Sequence, residues 1–162
     1  MTELRVVGPD DWRAMRDIRL DALRDAPYAF ASTYEREAAF PDQTWQERAR
    51  SGNTILAYQP ESGEEPVGLV ASIEEAPGQL GLVSMWVRPQ ARGRHVGTAL
   101  IEAVVHVARS RQLPRVRLWV TESNKAARRL YEQCGFAPTG ERQPLPSDPA
   151  MMELAMAREV AL

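Results

Sequence analysis

The sequence predicts a single α/β domain built on a mixed, mostly antiparallel sheet of six to seven strands flanked by about four helices. Three observations carry this. Between Thr54 and Val87, three short apolar segments are separated by turn residues, which makes an antiparallel meander. From Leu80 to Val120 a strand, a helix and a strand follow in order, which makes a right-handed parallel crossover. The chain is 162 residues long, enough for one hydrophobic core, and residues 1–162 contain no linker or repeat.

The elements follow in order. Leu4 to Val7 reads as a short strand, broken by Gly8-Pro9. Asp10 can cap the first helix, whose apolar side carries Trp12, Met15, Ile18 and Ala22, and Asp25-Ala26-Pro27 stops it. Pro27 to Pro41 is an aromatic segment holding Tyr28, Phe30, Tyr34 and Phe40, with Glu35 and Glu37 among them. A second helix spans about Asp42 to Arg50, with Trp45 on its apolar side. The meander strands are Thr54–Tyr58, Val67–Ile73 and Leu80–Val87. Val96, Ala99, Leu100, Ala103, Val104 and Val107 keep helical spacing. Val116, Leu118 and Val120 alternate as a strand, and Asn124 opens a last helix that Gly135 ends. Phe136–Thr139 and about Met151–Met156 complete the sheet, with a proline-bearing loop (Pro144, Pro146, Pro149) between them.

Composition excludes several classes of protein. A content of 44% hydrophobic and 26% charged residues suits a globular chain. A net charge of −2 gives no basic field for nucleic acid. No run is apolar enough for a membrane span or a signal peptide, so a cytoplasmic location is expected. A single cysteine, Cys134, rules out an intrachain disulfide, and two histidines leave no metal site of the usual ligand types.

The most informative segment is Val87-Arg88-Pro89-Gln90-Ala91-Arg92-Gly93-Arg94-His95-Val96-Gly97-Thr98. A strand ends, a proline stops it, and a basic glycine turn opens a helix. Such a turn leaves backbone N–H groups unpaired at the positive end of the helix dipole, where a phosphate can bind. A P-loop would need Gly-Lys before Ser or Thr, and a dinucleotide fingerprint would need three glycines; neither is present.

Two stretches in the right order resemble the GCN5-related N-acetyltransferase (GNAT) superfamily. Arg92-Gly93-Arg94-His95-Val96-Gly97 is similar to the family's pyrophosphate loop. Asn124-Lys125-Ala126-Ala127-Arg128-Arg129-Leu130-Tyr131-Glu132-Gln133-Cys134-Gly135-Phe136 is similar to its Asn-x-x-Ala-x-x-Leu-Tyr-x-x-x-Gly-Phe helix. His95 departs from the pattern, standing where the family has a glycine.

The resemblance implies a GNAT fold with a V-shaped cleft between the fourth and fifth strands, and acetyl-CoA as acetyl donor. It places Met85, Trp86 and Val87 along the pantetheine, and residues Arg92, Gly93, Arg94, His95, Val96, Gly97 and Thr98 around the pyrophosphate. Asn124 and Ala127 fall beside the cofactor. Spacing alone makes Tyr131 a core residue; the resemblance makes it the acid that protonates departing CoA. The expected reaction is direct transfer of acetyl to a primary amine, with a small-molecule acceptor as the partner. A peptide acceptor or a non-catalytic acyl-CoA sensor are the rival readings. Tyr28, Phe30 and Tyr34 are candidates for the acceptor pocket. Glu35 is the leading candidate base beside Glu74, Glu122 and a water held by strand backbone, with a solvated role as the alternative for each glutamate. No nucleic acid, membrane or metal partner is expected, and a homodimer is left open.

Overall fold

The computed structural model describes residues 1–162. Seven strands form one sheet: β1 (Glu3–Val6), β2 (Thr54–Tyr58), β3 (Gly68–Glu75), β4 (Gln79–Val87), β5 (Arg115–Thr121), β6 (Ala137–Leu145) and β7 (Asp148–Glu159). Their spatial order is β1-β2-β3-β4-β5-β7-β6. Every pair is antiparallel except β4–β5. Five α-helices accompany them: α1 (Trp12–Asp25), α2 (Tyr34–Ala38), α3 (Asp42–Arg50), α4 (Val96–Ser110) and α5 (Lys125–Gln133).

Strand alternation sorts side chains between two cores. Val116, Leu118 and Val120 of β5 join Leu100, Ile101 and Val104 of α4 on one face. Burying a side chain such as Leu100 or Ile101 contributes about 2 to 3 kcal/mol. On the other face, Leu56, Leu69 and Trp86 pack against Met15, Ile18 and Trp45 from α1 and α3.

The fold's main irregularity lies in β4. Leu69 pairs with Trp86 and Ala71 with Val83, so Ser84 and Met85 together oppose Val70. This is a β-bulge, with Ser84 in the left-handed region at φ +60°. β4 pairs with β5 only at Gln79–Arg115, Leu80–Val116 and Gly81–Arg117. Beyond Gly81 the two strands part, while β5 stays paired with β7 along its whole length.

A buried ion network ties the helical layer to this bulge. Arg19 donates to the Ser84 Oγ at 3.0 Å and to both oxygens of Glu37 at 3.1 and 2.9 Å. Arg48 donates to Glu37 at 3.0 Å. Glu37 is 1% exposed. Burial alone would raise its pKa; Arg19, the Ser32 hydroxyl and Arg48 outweigh that and bring it down to about 2.

Three expectations change. The N-cap of α1 is Asp11 rather than Asp10, and its Oδ2 accepts from the Gly8 N–H at 2.9 Å. The proline-bearing loop of residues 141–149 is instead the body of a long hairpin, β6–β7. Pro144 is accommodated because β6 is an edge strand, Pro146 lies in the turn and Pro149 near the start of β7, and the β6–β7 pairing shifts register between Pro138 and Arg142 and between Pro144 and Leu145. The aromatic segment also holds a further helix, α2, where Thr33 Oγ1 accepts from the Arg36 N–H at 3.2 Å as N-cap.

Because Glu37 titrates lower folded than unfolded, its stabilisation is complete above its ordinary value of 4.5 and is lost as pH falls toward 2. Glu37→Gln is therefore expected to lower unfolding free energy near pH 7 by about 3 kcal/mol. It should also remove this part of the acid-side loss, as read by urea denaturation from pH 7 down to pH 2.

Candidate active site

The gap between β4 and β5 opens into a cleft of about 480 Å³. Met85, Trp86 and Val87 form one wall, and Trp119, Val120 and Thr121 the other. Arg92, Gly93, His95, Val96, Gly97 and Thr98 close one end, with Asn124, Ala127, Leu130 and Tyr131 beside them. The two sequence motifs, 27 residues apart at their nearest, therefore face one space. A second cavity of about 410 Å³ lies between α1, α3 and β3–β4 and takes in Arg19, Arg48 and Ser84 but none of the motif residues.

The loop before α4 is a concave run of donors. None of the N–H groups from Gly93 to Thr98 donates to another group of the protein. Gly93 has φ +79° and His95 φ +64°, both left-handed, which turns successive N–H groups toward one side. His95 is the N-cap of α4 and adopts the glycine-like geometry despite its side chain. At Gly97 a Cβ would lie 2.9 Å from Leu130 Cδ2 and 3.1 Å from Met85 Cε. The missing side chain lets α4 approach β4 and α5 where they border the cleft.

The loop arginines divide. Arg92 donates to Val87 O at 3.0 Å and to Asp25 at 3.1 Å, and it borders the cleft. Asp25 also accepts from Trp86 Nε1 at 3.0 Å, so the end of α1 fixes both. Arg94 pairs instead with Glu61 of the β2–β3 connection, away from the cleft lining.

Tyr131 is buried at the cleft wall, edge-on to Phe136 with ring centroids 5.9 Å apart. Burial first, and then the neighbouring Cys134, push its phenol well above its ordinary pKa, so it holds its proton. Asn124 Oδ1 accepts from Ala127 N at 3.3 Å, which makes Asn124 the α5 N-cap as well as a cleft residue. Burial raises the Cys134 thiol too, which suits packing rather than nucleophilic attack.

The other candidates are more scattered. Tyr28 lines the cleft and is 46% exposed. Phe30 is buried in the core beneath α1, with the Arg19 guanidinium 4.9 Å from its ring centroid. Tyr34 is turned to Arg24, whose Nη2 donates to its hydroxyl at 2.8 Å. Glu35 is exposed on α2 and is not part of the cleft lining; Glu122 pairs with Arg142, and Glu74 lies near Arg111. The structure thus brings Tyr28 to the cleft but not Phe30, Tyr34 or Glu35. Sequence reasoning missed the cleft residues Trp119 and Thr121, whose only signal was alternation along β5.

The Acetyltransferase (GNAT) family matches residues 12–136. The chain belongs to this family. A mycothiol acetyltransferase of Beutenbergia cavernae is 46% identical over 125 residues, which is 68% of this chain and 38% of that protein. The chain thus spans about two fifths of the length of this curated relative. A GNAT acetyltransferase of Streptococcus pneumoniae shares the fold at a TM-score of 0.78 and 15% identity, over 99% of this chain and all of the other. A putative streptothricin acetyltransferase of Bacillus anthracis, solved in complex with acetyl coenzyme A, has a TM-score of 0.57 and 20% identity, over 65% of this chain and 61% of the other. No helix of this GNAT chain is long and apolar enough to cross a membrane. No group of three or more His, Cys, Asp or Glu is placed to hold a metal ion.

The left-handed backbone at His95 costs about 1 kcal/mol in a residue with a Cβ. His95→Gly is expected to raise unfolding free energy by about 0.5 to 1 kcal/mol, less than the full strain because glycine loses more chain entropy. Thermal denaturation checks this: a lower melting temperature would mean that the imidazole holds the loop through its own contacts.

Proposed function

We propose that this GNAT domain transfers acetyl from acetyl-CoA directly to a primary amine of a small molecule. The observation that carries the reading is the meeting of a free β4 edge, an unpaired N–H cradle and a protonated tyrosine in one cleft. Each has a role in thioester aminolysis.

The N–H groups of Gly93 to Thr98 would receive the pyrophosphate, helped by the dipole of α4. Arg92 adds charge at the same end. The pantetheine arm carries amide groups and would pair with β4 beyond Gly81, as an added strand does. A β4 N–H near the bulge would then stabilise the oxyanion of the tetrahedral intermediate. Tyr131 would give its proton to the departing CoA sulfur. No covalent acyl-enzyme step is needed, in keeping with the buried Cys134 thiol.

A small acceptor is favoured over an extended peptide by how the acceptor side is covered. Thr121 Oγ1 donates to Tyr28 O and Ser147 Oγ donates to Phe30 O, each at 2.5 Å. The α1–α2 segment is thereby fastened to β5 and to the β6–β7 turn, closing a path a peptide would follow. The B. cavernae relative, named for a small-molecule thiol, points the same way.

Tyr131→Phe should keep acetyl-CoA affinity within about twofold by calorimetry while lowering kcat about 100-fold or more in a thiol-release assay. Equal turnover by the two proteins on an accepted amine would remove Tyr131 from the acid's role.

A further inference from the structure

Glu153 is a buried carboxylate that the cofactor-binding residues leave unused. It lies on β7 and is 6% exposed. Its Oε1 accepts from Gln143 Nε2 at 2.6 Å, and this is its sole hydrogen bond from a side chain. It pairs with no cation. The contrast with Glu37 is sharp: that carboxylate is also enclosed but held by two arginines. An enclosed carboxylate with a single neutral partner is costly unless a cationic or protonated group completes it.

Its place in the sheet points to the missing partner. Glu153 is directly opposite Thr121 in the β5–β7 register and opposite Gln143 in the β6–β7 register. Cross-strand partners project from the same face, side by side. Thr121 lines the cleft and its hydroxyl holds Tyr28 O. Strand alternation puts Leu154 and Met156 on the α4–α5 face and Glu153 on the α1–α2 face. Glu153 therefore stands beside Thr121 on the face opposite α5, which carries Tyr131, without itself lining the cleft.

We propose that Glu153 receives the acceptor's ammonium group and is the general base of the transfer. This rests on the acetyltransferase reading above. In the reaction the Glu153 carboxylate takes one proton from the R–NH3+ group. The freed nitrogen lone pair forms the C–N bond with the thioester carbon. The tetrahedral intermediate then breaks its C–S bond, and the sulfur takes the Tyr131 proton. The second proton on nitrogen restores the phenol, and the proton on Glu153 leaves to solvent. The products are the amide, CoA thiol and one proton. Base and acid on opposite faces of the cleft keep the two transfers apart.

The surroundings suit this role. β5 presents Trp119 and Thr121 on this face, with Arg117 further along and paired to Glu75 and Glu141. β6 presents Gln143. The α1–α2 segment presents Tyr28 and Phe30. Arg19, near Phe30, is committed to Glu37 and Ser84. Asp148, at the start of β7, is exposed beyond the turn. No cation is available to take the place of the substrate's.

The test compares the wild-type protein with Glu153→Gln across pH on an amine accepted from a panel of small primary amines. For wild type, kcat/KM should not track the free-amine fraction between pH 7 and the pKa of the amine, because Glu153 accepts the ammonium form. For Glu153→Gln, kcat/KM should fall about 100-fold or more at pH 7 and recover as the amine deprotonates in solution. Its affinity for acetyl-CoA should match wild type, which also reports folding. A variant equally impaired at every pH, or as active as wild type at pH 7, overturns the assignment. Should the variant not fold, wild-type kcat/KM rising about tenfold per pH unit with free amine overturns it alone. A wild-type protein that binds acetyl-CoA but acetylates no amine of the panel instead refutes the acetyltransferase reading, and the role of Glu153 with it.

Discussion

The cleft of this chain depends on β4 leaving β5 after Gly81. Two parallel strands that stayed paired would consume their own N–H and C=O groups and leave no gap. The bulge at Ser84 adds one residue against Val70 and increases the local twist, which carries the end of β4 away. The opened edge offers backbone groups to a ligand. Arg19 holds the bulge residue through its hydroxyl, and Glu37 holds Arg19. A buried carboxylate on a five-residue helix thus fixes the shape of a cleft it does not line.

The same division governs the two faces of the sheet. On one face, α4 and α5 bring the N–H cradle and Tyr131 to the gap. On the other, α1, the segment that follows it and the β6–β7 turn cover the sheet, and Glu153 is buried. Asp25 joins the two, because it lies at the end of α1 yet accepts from both Trp86 and Arg92 at the cleft. The Tyr131 phenol is kept neutral by burial, and Glu153 is buried without a cation.

Periodicity made much of this legible. The helical spacing of α4 and α5, the Asn124 cap and the alternation of β5 all reflect local rules that tertiary contacts reinforce. The phosphate loop could be read as well, because it relies on backbone donors and glycine geometry. Other features resisted reading. Pro144, Pro146 and Pro149 suggest a loop until Pro144 is seen on β6 at a sheet edge, where a missing N–H costs little. Glu35 and Glu37 look alike in sequence; helix phase exposes the first and buries the second between two arginines. Glu153 gave no signal, since its burial opposite Thr121 and Gln143 arises from strand pairing.

The sequence by itself determined the family, most of the element order and the two motifs that line the cleft, because each is written in a short stretch with its own backbone chemistry. It also marked His95 as the departure, at a position that requires a left-handed backbone. Only the tertiary structure decided which side chains share a space. Arg92 and Arg94 are two residues apart, yet one is held at the cleft by Asp25 and the other is drawn away by Glu61. The choice among carboxylates depends on sheet register and burial, which are long-range quantities. No local pattern distinguishes a carboxylate held by two arginines, as Glu37 is, from one buried without a cation, as Glu153 is.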